Sequence, residues 1–133
     1  MTSGRTTRGL EAWEDALQRV LSSVDRTLEE RHEARWPLHP ARPADGTAAN
    51  PQYDGLFRVT ASFSAGFGSK LGPGYVLKAE IATLAAVSPE DRAAIEREAA
   101  DLARKGLARE FPGKALSVDK DGPVWKIHGD LSL

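Results

Sequence analysis

Residues 64–80, SAGFGSKLGPGYVLKAE, combine four glycines with a serine and a lysine, the residue types from which proteins build phosphate-binding loops. A P-loop requires a glycine, four further residues, and then Gly-Lys-Ser or Gly-Lys-Thr leading into a helix. Here the order is Gly68-Ser69-Lys70, and an alternating pattern typical of a strand begins at Tyr75. No helix terminus would face an anion, so the P-loop interpretation fails.

The glycine-rich loop of protein kinases does lie between two strands, but its glycines are spaced G-x-G-x-x-G. Gly66 and Gly68 fit that spacing, whereas the third position is Leu71. A turn explains the glycines better, because Pro73 and Gly74 are the preferred central pair of a type II turn. Successive glycine amides beside a lysine also form concave anion sites. The candidate ligand-binding set is therefore Gly66, Gly68, Ser69, Lys70, Gly72 and Gly74.

The three histidines give no metal site. The segment HEARW, which begins at His32, resembles the His-Glu-x-x-His helix of zinc proteases, but Trp36 stands where the second ligand would be. His39 lies in a proline-rich segment, and His128 is expected to face water on the last strand. The sequence predicts no metal and no cofactor.

Pairs of carboxylates support general acid–base catalysis when a cleft shifts their pKa values. Two such pairs occur, Glu29 with Glu33 and Glu96 with Glu98. Arginines flank both pairs, which indicates solvated ion pairs on helix surfaces. The chain has no Gly-x-Ser-x-Gly motif and no cysteine, so it offers no recognisable nucleophile. The sequence predicts no catalytic residues.

Composition limits the function classes further. The 133 residues carry a formal net charge of −1, so no overall positive field attracts nucleic acid or anionic lipid. No apolar run approaches the roughly 20 residues that span a bilayer, and the polar N-terminus does not resemble a signal peptide. The absence of cysteine fits a reducing compartment. We expect a cytoplasmic protein that folds as one domain over residues 1–133.

Apolar residues at steps of three and four predict a first helix over about residues 8–34, after a frayed start at residues 1–8. Its apolar stripe comprises Leu10, Trp13, Leu17, Val20, Leu21, Val24 and Leu28. The helix is long for so small a domain, so part of the stripe meets either a second chain or, more simply, the protein's own sheet. The following residues 35–54 contain four prolines, which predict a long, partly disordered loop with Trp36 anchored on the apolar surface.

A second helix is expected to begin at Pro89, with Ser88 as its N-cap, and to end by the FPG segment at residues 111–113. Its alanine-rich stripe predicts a close approach to the sheet. That stripe comprises Ile95, Ala99, Leu102, Ala103 and Leu107.

Alternating apolar and polar residues predict four strands in two hairpins. The first hairpin joins residues 57–67 to residues 75–84, and the second reverses at Asp121-Gly122. The aromatic residues expected on the buried face are Phe57, Phe63, Phe67, Tyr75 and Trp125.

An RNA-binding sheet would expose positive charge together with aromatic rings. The polar face is expected to carry Arg58, Lys78, Lys126 and His128. Glu80 and Asp119 dilute that charge, and the aromatic residues lie on the other face. A second basic cluster, near the end of the first helix, comprises Arg31, Arg35 and Arg42. Exposed arginines are usually only solvated, so nucleic acid is a disfavoured partner.

These elements predict an α+β two-layer sandwich, a four-stranded antiparallel sheet with two helices on one face, in the order α-β-β-α-β-β. Strand order stays open, and free sheet edges predict a homodimer through an edge strand or through the first helix. The favoured function is a non-enzymatic binding or interaction module whose partner is a protein or a second copy. The alternative is a small-ligand or anion-binding domain, with or without enzymatic activity, that uses the loop at residues 66–74.

Overall fold

The computed structural model describes residues 2–37 and 55–130, with side chains from residue 9 onward, and arranges them in two layers. The helices are α1 (Thr2–His32) and α2 (Pro89–Glu110). The strands are β1 (Phe57–Ser64), β2 (Gly74–Ile81), β3 (Leu116–Asp121) and β4 (Val124–Gly129). Both helices pack against one face of the sheet, so the predicted α+β architecture and its element order are confirmed.

The sheet is antiparallel throughout, with the strand order β1-β2-β4-β3. β1 and β2 pair along their whole length, from Phe57 opposite Ile81 to Ser64 opposite Gly74. β4 pairs with β2 over only three residues, Tyr75 to Leu77. β1 and β3 are therefore the edge strands, and the last part of β2 has no described strand on its β4 side.

The core lies between the helices and the sheet. Phe57 and Ile127 of the sheet are fully buried, and Trp36 packs into the same cluster, as predicted. The buried residues of α1 are Trp13, Ala16, Leu17, Val20, Leu21, Val24 and Leu28. The predicted stripe is thus confirmed except at Leu10, which is 39% exposed. α1 also begins at Thr2, earlier than the apolar pattern indicated, because the polar residues before Leu10 give no periodic signal.

Two aromatic residues contradict the predicted buried face. β1 ends at Ser64, so Phe67 belongs to the following loop and is 97% exposed. Phe63 does alternate onto the helix-facing side, but it is 63% exposed and packs edge-on against Tyr75 with ring centroids 5.6 Å apart. Alternation determines which face a side chain occupies, whereas its burial depends on how far the helices extend over the sheet.

The N-terminus of α2 agrees with its sequence. Ser88 has extended backbone angles, and its Oγ accepts a hydrogen bond from the Asp91 N–H at 3.1 Å, while Pro89 occupies the first turn. The N-cap prediction is confirmed. The closest approach of α2 is to α1 rather than to the sheet, because Gly106 lies against Val20. A Cβ atom at Gly106 would lie only 2.9 Å from Cγ1 of Val20.

Most of the predicted proline-rich loop, residues 38–54, lies outside the described residues. The candidates His39 and Arg42 lie there as well. The fraying of residues 1–8 and the single-domain organisation stay predictions.

The contact between Gly106 and Val20 gives a stability prediction. We expect Gly106→Ala to lower the free energy of unfolding by about 1 kcal/mol, because overpacking against the stiff valine outweighs the gain of about 1 kcal/mol in helix propensity. In a Val20→Ala background the same substitution should stabilise the protein. Urea denaturation of the four proteins in this double-mutant cycle measures the coupling.

Gly113→Ala is the matched control, because nothing lies within 4 Å of a Cβ atom there. Its effect should stay within about 0.5 kcal/mol. Equal effects of Gly106→Ala in both backgrounds would show that the helices do not meet at this position.

Candidate functional site

The loop that joins β1 to β2, residues 65–73, covers part of the outer face of the sheet, the face opposite the helices. The side chain of Lys126 shows this, because alternation with the buried Ile127 places it on the outer face, yet the residue is only 2% exposed. Its Nζ donates to the carbonyl oxygen of Gly72 at 3.0 Å and to Oγ of Ser69 at 2.8 Å. The prediction that Lys126 faces solvent is wrong, because the loop folds back over it.

An ion pair completes this arrangement. Nζ of Lys126 lies 2.8 Å from Oδ2 of Asp121, and Ser69 Oγ donates to the same carboxylate oxygen. The hydrogen bonds from Lys126 and Ser69, aided by the positive charge of Lys126, hold the pKa of Asp121 below its ordinary value. The three donors of the ammonium thus have three acceptors. We call Ser69, Gly72, Asp121 and Lys126 the loop clamp.

The glycines give the loop its shape. Gly66, Gly68 and Gly72 have φ angles of +82°, +75° and +75°, a region that other residues rarely adopt. Ser69 N–H donates to Gly66 C=O at 3.0 Å, which closes a β-turn with Gly68 at the position where a type II turn needs positive φ. The type II turn predicted at Pro73-Gly74 is wrong, because Gly74 is paired in β2 and is not in the left-handed region.

Gly74 has a different role. A Cβ atom there would overlap the carbonyl oxygen of Ile127 and lie 2.9 Å from Cγ of Lys126. The missing side chain therefore lets the lysine stem cross the start of β2 and reach the loop.

The structure brings together only part of the predicted ligand-binding set. Ser69 and Gly72 contact Lys126, while Gly66 lies against the backbone of Gly72 and Lys70 is exposed. The nearest fixed charge beneath the loop is the Asp121 carboxylate, whose sign disfavours an anion. Anion binding by residues 66–74 stays a prediction.

Ser69 beside Lys126 has the spacing of a serine nucleophile and its base. However, Lys126 donates in all three of its contacts, so it has no lone pair with which to accept the Ser69 proton. The clamp is therefore suited to holding the loop in place rather than to nucleophilic chemistry.

Sequence reasoning missed Lys126 and Asp121. Both lie on the outer face of the second hairpin, and only the pairing of β4 with β2 brings that hairpin under the glycine loop. Alternation gives the face but not the strand order, so no local signal connected these residues to Ser69.

The predicted basic cluster is neutralised where it is described. Arg31 binds Glu98 at 3.0 Å, and His32 Nε2 lies 2.5 Å from the other oxygen of that carboxylate. Burial alone would raise the pKa of Glu98, but the hydrogen bonds from His32 and Arg31 hold it below its ordinary value. Arg35 binds Asp91 at 3.1 Å. These contacts join the end of α1 to α2 and leave no free basic patch on the described residues.

Glu29 corrects another prediction. It was expected on a solvated helix face, but it is 5% exposed, and its Oε1 accepts hydrogen bonds from the N–H groups of Leu56 and Phe57, the latter at 2.9 Å. A buried carboxylate in this position satisfies backbone donors at the start of the edge strand β1.

The outer edge of β1 is the second candidate surface. Ala82 N–H donates to Leu56 C=O at 2.6 Å, so the even-numbered residues of β1 bond to β2. The main-chain groups of Val59, Ala61 and Phe63 therefore point outward. No segment among the described residues pairs with them, and the exposed Phe63 ring lies at one end of this row.

The opposite edge, β3, is protected. Arg104 Nη2 donates to the outward carbonyl oxygen of Val118 at 2.5 Å. The exposed charges of Asp119 and Lys120 lie along the same short strand. Such features prevent edge-to-edge pairing, so within residues 55–130 the open edge is that of β1.

Comparison with known proteins gives a match over residues 8–129 to the model of a family described as "Uncharacterised protein". The chain belongs to that family. A protein of Borreliella burgdorferi, also described as "Uncharacterized protein", is 40% identical over 117 residues, which cover 88% of this chain and 91% of the relative. No solved structure matches. The family match spans the loop clamp and the β1 edge.

Two classes of site were searched for within the described residues. Histidine and acidic side chains form no group there that could hold a metal ion. Neither described helix is long and apolar enough to cross a membrane.

The loop clamp predicts the effect of removing its charge. Lys126→Met should lower the free energy of unfolding by about 3 kcal/mol, because it leaves the Asp121 carboxylate and the Gly72 carbonyl without their buried partner. It should also speed hydrogen exchange at the Leu71 amide, which bonds to Ser69 Oγ at 3.1 Å. Urea denaturation and NMR hydrogen exchange measure the two effects.

Lys78→Met is the matched control, because Lys78 is an exposed lysine on the same face of the sheet. It should change stability by less than about 0.5 kcal/mol. Equal stability of the two variants would contradict a structural role for the clamp.

Proposed function

We propose that this protein is a non-enzymatic interaction module that self-associates by pairing the β1 edges of two copies. The observation that carries the proposal is the row of outward main-chain groups at Val59, Ala61 and Phe63, next to an aromatic ring that is 63% exposed. An edge of this kind is a template for another strand. The protected β3 edge directs the pairing to β1.

The row also defines a register. Pairing identical strands antiparallel around a two-fold axis at Ala61 uses all three outward residues, with Val59 opposite Phe63 of the second copy. Moving the axis toward the start of β1 would require Phe57, whose N–H already bonds to Glu29. Glu29 therefore limits the paired segment to residues 59–63.

Side chains at this register are compatible. On the outer face Thr60 meets Ser62 of the second copy, and Arg58 meets Ser64, so like charges do not face each other. On the helix side, Phe63 covers Val59 of the second copy and removes apolar surface from water. We estimate that burying each Phe63 ring contributes about 1 kcal/mol, half the value for a fully exposed ring.

Other partners are less well supported. The burial of Lys126 removes one of the four basic residues expected on the outer face, which weakens the case for nucleic acid. A cytoplasmic location belongs to the proposal and is supported by the cysteine-free composition.

Phe63→Lys should shift the monomer–dimer equilibrium toward monomer by at least about tenfold, because it replaces the apolar contact with two desolvated charges near the axis. Sedimentation equilibrium over a concentration series measures the change. Phe67→Lys is the matched control: Phe67 is equally aromatic and more exposed, but it lies outside the paired segment, so its dimer should persist. A strictly monomeric parent protein would end the proposal.

The absence of cysteine allows a test of the register itself. Ala61→Cys places two thiols across the axis with Cα atoms about 5.5 Å apart, within disulfide range, so mild oxidation should give a covalent dimer. Arg58→Cys should not, because its equivalent in the second copy lies roughly 20 Å along the strand. Efficient cross-linking of Arg58→Cys but not Ala61→Cys would refute this register.

A further inference from the structure

A cleft lies on the other side of β2, where the sheet is interrupted. The register that places Tyr75 opposite Ile127 and Leu77 opposite Trp125 would place Ala79 opposite Pro123. Proline has no N–H to donate, so the ladder stops there and the chain turns into β3. A cavity of about 480 Å³ remains between the end of β2, the first turns of α2 and the β3–β4 turn.

Main-chain groups of β2 face this cleft. Tyr75 and Leu77 bond toward β4, so alternation also directs the N–H and C=O of Ala79 and the N–H of Ile81 toward the cleft. The carbonyl oxygen of Ile81 accepts from Thr83 N–H at 3.0 Å. One acceptor and two donors at peptide spacing therefore have no partner among the described residues.

Four charged side chains also line the cavity: Lys78, Glu80, Arg92 and Glu96. Within the described part of the chain none of the four has an ion-pair partner, whereas Arg31, Arg35 and Arg104 are all paired with carboxylates. Arg92 and Glu96 are one helical turn apart, about 6 Å along α2. The cleft thus presents one positive and one negative group from the helix beside unpaired peptide groups of the strand.

We propose that this cleft binds a di- or tripeptide with free ends. Arg92 binds the α-carboxylate, Glu96 binds the α-ammonium, and the main chain of Ala79 pairs with the ligand's peptide group. An extended ligand of two or three residues is roughly 7–10 Å long, which two long side chains about 6 Å apart on the helix accommodate. The cavity volume lies in the range of small-ligand sites, and Ile81 and Val124 provide apolar contact for small side chains.

The test is an NMR titration of the isotopically labelled protein with trialanine up to about 10 mM, ten times the Kd of a weak specific site. Saturable shifts are expected at the amides of Ala79 and Ile81. Acetyl-trialanine-amide should bind at least about tenfold more weakly, because it lacks both charges. Free alanine should give no saturable shift, because it has no peptide group to pair with Ala79.

Variants assign the charges. Arg92→Met and Glu96→Gln should each weaken trialanine binding by about tenfold or more, whereas Arg97→Met, an exposed arginine of α2 outside the cavity, should not. Binding should survive in Phe63→Lys, which separates this site from the proposed β1 interface. No saturable shift, equal binding of blocked and free peptides, or equal binding of alanine and trialanine would overturn the proposal.

Discussion

The three-residue ladder between β2 and β4 is the constraint on which the rest of this structure depends. It joins two hairpins that are each locally determined, and it places β1 and β3 at the edges. Because the ladder includes Val76 opposite Lys126, it brings the second hairpin beneath the glycine loop of the first. Because it stops before Ala79, it leaves a gap beside the end of β2. Strand order, loop clamp and cleft are consequences of one short pairing.

Two buried charges hold the ends of the edge strand β1. At its start, the Glu29 carboxylate accepts hydrogen bonds from the N–H groups of Leu56 and Phe57. Beyond its end, the Lys126 ammonium binds the loop through Ser69 and Gly72. Both charges bond to main chain or hydroxyl groups, which offsets the cost of removing them from water. The middle of β1 is therefore fixed in an extended form although one of its sides has no described partner. A preformed strand loses less conformational entropy when another strand pairs with it.

The two proposed surfaces lie on opposite sides of the first hairpin. The β1 edge faces away from the sheet, and the cleft lies between β2 and α2. They share no residue, so a copy paired through β1 still presents its cleft. Their chemistry also differs: the edge offers a row of peptide groups with an aromatic ring, whereas the cleft offers a shorter row with charges of both signs. A strand suits the first surface, and a short ligand suits the second.

The sequence by itself determined the elements of this protein. Periodicities of 3.6 and 2 gave the two helices, the four strands and the buried face, since these patterns depend only on local geometry. The Ser88 cap and the Gly122 turn were equally readable, because each depends on a few adjacent residues. Candidate sites were less readable: the glycine loop was recognised, but its partners Lys126 and Asp121 were not.

Only the tertiary structure decided which elements are neighbours and how far each is covered. It buried Lys126 and Glu29, which the sequence placed in water, and it exposed Phe63, which the sequence placed in the core. The physical reason is that burial depends on contacts between residues distant in the chain, and residue type and spacing do not encode the strand order that makes those contacts. The free edge and the cleft arise in the same way, from where the β2–β4 pairing ends.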